Sequence, residues 1–112
     1  MSFVVELSPA AAADLERLFD FLLDRARSSE DLDHAQMAID AVRAIAQQQL
    51  AVTPFSFRKA AKSPAQRELI IPFGSNGYVA LYEIVSASKV VVLAVRHQRA
   101  AEVVQHVGLI GP

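Results

Sequence analysis

The apolar positions of this chain change period several times, and each change marks an element. Phe3-Val4-Val5-Glu6-Leu7 is short and β-branched, the pattern of a strand. Ser8-Pro9 follows with an N-cap and a proline at the first helical position, where a missing N–H is no loss. Leu15, Leu18, Leu22 and Ala26 then recur at helical spacing. Phe19 and Leu23 widen that stripe, and Asp14, Arg17, Asp20, Asp24 and Arg25 hold the other side. The spacing predicts an amphipathic helix over about residues 9–27.

Ser28-Ser29-Glu30-Asp31 carries a second cap signal, with Ser28 and Asp31 at capping-box spacing. Leu32, Ala35, Ile39, Val42, Ile45 or Ala46, and Leu50 give the following stretch one apolar face, so two antiparallel helices joined by a short turn are expected. Thr53-Pro54 ends that hairpin. Residues 54–66 show no periodicity and mix Pro54, Ser56, Ser63 and Pro64 with Arg58, Lys59 and Lys62, as a basic loop does. Residues 67–73 and 78–84 alternate as two strands around Gly74-Ser75-Asn76-Gly77, the Asn-Gly step being a strong hairpin signal. Pro72 cannot donate to a ladder and belongs near a strand end or on a free edge.

Ser86-Ala87-Ser88 then turns the chain into Lys89-Val90-Val91-Val92-Leu93-Ala94-Val95, a buried strand closed by Arg96-His97-Gln98-Arg99. The element order is β-α-α-β-β-β, an α+β layer: a small antiparallel sheet with an N-terminal helical hairpin on one face. A short terminal helix over 100–107 would complete it.

A length of 112 residues makes 1–112 one domain, long enough for a core without staples, and 53% hydrophobic with 21% charged residues is an ordinary globular composition. The absence of cysteine excludes disulfides, thiolate catalysis and cysteine-based metal sites. His34, His97 and His106 are too scattered to argue for a metal, and no serine sits in a nucleophile elbow, so neither metal nor cofactor is expected. With no signal-like N-terminus and no long uncharged run, a cytoplasmic protein without a membrane partner is expected. Net charge is -1, yet residues 1–42 hold nine acids against three bases and residues 43–112 three acids against eight bases. Such asymmetry points the second half toward an acidic partner, or makes the two halves complementary within the fold.

A core strand accounts for Val90 to Val95 and gives no reason for Arg96, His97 and Arg99, which are poor core material. Arginine supplies bidentate, always-charged contacts, so this cluster is the first candidate for meeting a protein or phosphate surface. Arg67, with Arg58, Lys59 and Lys62, could extend it or receive an acidic segment; a solubilising loop is the plainer reading. Tyr78 and Tyr82 share one strand face and combine apolar area with a hydroxyl, as groove anchors do and as core residues also do. Phe21 falls outside the first helix's apolar stripe and is an interface candidate. The apolar tail Gly108-Leu109-Ile110-Gly111-Pro112 is another.

Three blocks in register carry a family resemblance. Leu7-Ser8-Pro9 leads into Ala10-Ala11-Ala12-Ala13-Asp14-Leu15-Glu16; Arg67-Glu68 opens a hairpin closing on Gly77-Tyr78 and Leu81-Tyr82; and Val92-Leu93-Ala94-Val95-Arg96-His97-Gln98-Arg99 ends the sheet. Together they resemble the ParE/RelE superfamily of type II toxins, often described as plasmid stabilisation proteins, over almost the whole chain. The resemblance implies a cognate antitoxin that wraps the toxin. RelE-like members resemble one another in cleaving messenger RNA on the ribosome. They use hairpin lysines, an arginine after the hairpin tyrosine, and an arginine and a tyrosine near the C-terminus.

Those positions fall on Ile70, Pro72, Val79, Gln98 and Val104, none of which can neutralise a phosphorane or move a proton. The long helical hairpin, the Leu-Ser-Pro step and the Arg-His-Gln-Arg ending look more like the ParE branch, which implies a non-enzymatic poison of DNA gyrase with no catalytic residues. By that resemblance Arg96, His97, Arg99 and Arg67 would meet the target, and Tyr78, Tyr82, Phe21, Arg58, Lys59 and Lys62 the antitoxin. The alternatives are a ribosome-dependent endoribonuclease with displaced arginines, and a non-toxic relative serving as a binding or regulatory module.

Overall fold

Ser8 and Ser28 each set a helix in place. The Ser8 hydroxyl accepts the Ala11 N–H at 3.0 Å and starts α1 (Pro9–Asp24), and the Ser28 hydroxyl accepts the Asp31 N–H at 3.2 Å and starts α2 (Ser29–Val52). Asp31 answers by accepting the N–H of Arg27 at 2.9 Å, one residue before the cap. The computed structural model describes residues 2–60, 63–74 and 76–98. The tail and the terminal helix expected over 100–107 lie outside the described residues, as do Lys62 and Arg99.

The strands are β1 (Val4–Leu7), β2 (Arg58–Lys59), β3 (Gln66–Phe73), β4 (Asn76–Ser86) and β5 (Lys89–His97), in the sheet order β1-β5-β4-β3-β2. The α+β order is as the sequence predicts, with two refinements. The first strand lies parallel to β5, so the sheet is mixed and not wholly antiparallel, because a helical hairpin returns the chain to the same end before the meander begins. The basic loop also contributes the two-residue β2, with Arg58 opposite Glu68 and Lys59 opposite Arg67.

Ala11, Leu15, Ala38, Ile39, Val42, Ala46 and Leu50 of the helices pack on Leu69, Ile71, Tyr78, Ala80, Tyr82, Val90, Val92 and Val95 of the sheet. Leu32, expected in that face, is instead 47% exposed. The hairpin turn also shifts: Asn76 and Gly77 belong to β4, paired with Phe73 and Pro72, while Gly74 takes the positive φ of 59°. Pro72 sits exposed on the part of β3 beyond the reach of β2, as a residue lacking an N–H must.

Candidate functional site

The end of β5 is aimed by α1. Ladder pairing joins Tyr82 to Val92 and Leu81 to Ala94, leaving Leu93 as an extra residue in a β-bulge. The bulge is held from α1's first turns: the Ser8 hydroxyl donates to the Leu93 carbonyl at 3.2 Å, and the Asp14 carboxylate accepts the Val95 N–H at 2.9 Å. One inserted residue reverses the alternation. Unbroken alternation would put Arg96 on the face of Val90 and Val92; past the bulge, Val95 and His97 take that helix-covered face and Arg96 leaves it.

A groove of about 1020 Å³ opens there between α1, the start of α2 and the β3–β4 turn. Its apolar floor is Leu18, Leu22, Ala38, Phe73, Tyr78 and Val95, with Phe21 48% exposed at the lip. Among the described residues it is lined by the guanidinium groups of Arg17 on α1, Arg25 at its C-cap and Arg96 on β5, by the imidazoles of His97 and His34, and by one acid, Asp14. Asp14 is already engaged by the Val95 N–H and by an ion pair with Arg17. The groove therefore presents cation around apolar surface. Arg25 lies over the Phe21 ring at 4.3 Å, His34 tilts against Phe73 at 5.1 Å, and His97 meets the Tyr78 ring edge-on at 5.5 Å.

Of the residues singled out from sequence, Arg96, His97, Phe21 and Tyr78 come together in this groove, Tyr78 as part of its buried floor. Tyr78 and Tyr82 do not serve as exposed anchors: they are 3% and 0% exposed, facing the helices within the core. Burial raises the Tyr78 hydroxyl above its usual range and pushes Tyr82 up to about 12, the Arg67 guanidinium opposing the latter shift.

Arg67 is likewise turned inward. Its guanidinium donates to the carbonyls of Phe55 at 3.1 Å and Phe57 at 2.9 Å, while the Tyr82 hydroxyl donates to Pro54, so the pair tethers the segment after α2. A half-buried arginine so engaged is a structural tie between β3 and the segment after α2. Arg58 is exposed but paired with Glu68 at 2.9 Å, and Lys59 is exposed on β2, both remote from the groove.

Arg17, Arg25, His34 and Phe73 were not among the sequence candidates. The signal was present for two of them: Arg17, Phe21 and Arg25 recur every fourth residue and form one stripe along a helix. For His34 and Phe73 no local signal existed, because what joins them is the packing of α2 against the turn.

On the face without helices, Ile70 stands opposite Val79, and Val79 opposite Arg96. Val79 is 2% exposed. The middle of that row is apolar, with one arginine at its end.

Residues 5–102 match the family model of the ParE toxin of the type II toxin–antitoxin system parDE. A curated protein named Toxin RelE3, from Caulobacter vibrioides, is 38% identical over 93 residues, covering 83% of this chain and 91% of that protein. Among solved structures, a chain of the chromosomal ParDE toxin–antitoxin system from P. aeruginosa superposes with a TM-score of 0.66 at 15% identity, over 85% of this chain and 95% of that one, which is a likeness of fold.

Proposed function

The chain belongs to the ParE toxin family of type II toxin–antitoxin systems, and from that premise we propose that it is a toxin acting by contact, with DNA gyrase as its target and the cationic groove as the seat of its antitoxin. The observation that carries the contact reading is the row Ile70, Val79, Arg96. At the sheet positions where RelE-like members carry lysines and an arginine, this chain places Ile70, Pro72 and Val79, which neither stabilise a phosphorane nor transfer a proton. Arg96, beside them in that row, can hold a phosphate or a carboxylate but is too basic to move a proton.

The groove fits an antitoxin segment that is amphipathic and acidic. Its floor takes apolar side chains, and Arg25 and Arg96 meet carboxylates at the rim, Arg17 being paired with Asp14. Arg96 and His97 stand at the C-terminal end of β5, where they contact the target once the antitoxin leaves.

The name of the Caulobacter relative, Toxin RelE3, favours a second reading, a ribosome-dependent endoribonuclease with displaced arginines. Induction of the chain without antitoxin separates the two. The contact reading expects arrested growth, gyrase-cleaved DNA and intact transcripts, with the arrest abolished by Arg96→Glu. Codon-positioned transcript cuts with undamaged DNA would transfer the assignment to the ribosome, and harmless expression of a folded chain would leave a binding module.

A further inference from the structure

The two edges of the sheet are built differently. At one, β2 is two residues long and both are charged, Arg58 and Lys59, and the part of β3 beyond it carries Pro72, so pairing with another chain is discouraged. At the other, β1 carries no proline and no lysine. Its single charge, Glu6, is held by Lys89 at 2.9 Å.

Val4 donates its N–H to Ser88 and Ser8 donates to Val92, so ladder alternation turns Val4, Glu6 and Ser8 toward β5. The N–H and C=O groups of Val5 and Leu7 therefore face the open edge. Beneath that edge lies a second pocket of about 480 Å³, lined by Val5, Leu7, Leu15, Ala46, Val92 and Val95, the last of which it shares with the groove. Arg43 and Asp40 stand at its mouth. Asp40 accepts from Gln36 at 2.9 Å, whereas the exposed Arg43 guanidinium has no ion pair among the described residues.

We propose that the β1 edge is a second docking surface, which takes an extended segment of a partner protein as a sixth strand. The segment would place apolar side chains two residues apart into the pocket and a carboxylate on Arg43. The periodicities agree: a strand added to β1 turns every second side chain onto the helix-covered side, where the pocket is, and its main chain meets the free groups of Val5 and Leu7. Arg43 supplies the carboxylate contact, since its guanidinium has no ion pair among the described residues, Asp40 included. Val5, Leu7 and Arg43 do not line the groove, so their part in binding is tested separately from the assignment of the antitoxin to that groove.

The test uses the full chain, labelled for amide NMR, and a short synthetic peptide alternating valine with threonine and closing on aspartate. Its control is the same peptide N-methylated at every second amide, which keeps the side chains and blocks the ladder. The expected result is that the first peptide protects the Val5 and Leu7 amides from hydrogen exchange, that Arg43→Glu weakens its binding about tenfold, and that the methylated peptide does not bind. Equal binding of both peptides, absence of binding, or protection confined to the groove would overturn the proposal. Val5 and Leu7 amides already protected in the free chain would overturn it too, assigning the edge to a second copy if protection rises with concentration and to the chain's own residues if it does not.

Discussion

The carboxylate of Asp14 accepts the N–H of Val95 at 2.9 Å across 81 residues of sequence, and so ties the second turn of α1 to the strand just past its bulge. Without it a half-buried N–H in a disrupted ladder would lack an acceptor, and hydrogen bonds to charged groups contribute about 1.5–3 kcal/mol. Asp14→Ala should therefore lower the unfolding free energy by about 2 kcal/mol, read as a reduced denaturant midpoint at unchanged slope. Asp14→Asn keeps one acceptor oxygen and should lose less. Because the tie aims Arg96 and His97, target binding should fall further than stability alone explains.

That tie also marks the boundary of what was legible in the sequence. Both helix starts, the order of elements and the core faces follow from spacing and caps, which are local. The Leu93 bulge is not local: its stabilisers are Ser8 and Asp14, far along the chain, and an inserted residue leaves no trace in a run of valines. Unbroken alternation therefore places Arg96 on the wrong face. Tyr78 and Tyr82 have the same sequence signature whether buried or exposed, and the helices above them decide. The groove was half-legible, through Arg96, His97, Phe21 and Tyr78, because its other walls meet only in three dimensions.

Gly77 is required by a close approach and not by its backbone angle. A Cβ built there would lie 2.6 Å from the Gln98 Oε1 and 2.9 Å from the Ile71 carbonyl oxygen. Gly77→Ala should destabilise the chain by about 1–3 kcal/mol, the usual range for overpacking. Adding Gln98→Ala should restore a part of that loss and no more, since the Ile71 carbonyl belongs to the backbone. Thermal melts of the single and double variants measure the split.

The buried tyrosines predict an alkaline limb. Tyr82 ionises at 10.0 when unfolded and at about 12 when folded, so the folded state holds its proton longer. Stability is complete below pH 10.0, falls as pH rises toward about 12, and levels above it, because in that window the unfolded chain releases a proton that the native chain retains. Tyr82→Phe should flatten this limb in urea midpoints measured across the window. It should also cost about 1 kcal/mol at neutral pH, from the hydrogen bond lost to Pro54.

Phe21 and Arg25 form one contact on one lip of the groove, the guanidinium 4.3 Å from the ring centroid, and Phe21 leaves 48% of its surface to solvent. Truncation of a half-exposed ring removes little core packing, so Phe21→Ala should change stability by less than about 1 kcal/mol. An aromatic anchor in an interface commonly contributes about 2 kcal/mol or more to binding, and its loss should weaken the antitoxin complex at least about thirtyfold. Arg25→Glu should weaken the same complex and steepen its dependence on salt, because it replaces attraction for an acidic segment by repulsion. Titration calorimetry with the cognate antitoxin at two ionic strengths measures both effects. Unchanged affinity for both variants would place the antitoxin elsewhere on the surface and return the groove to the target.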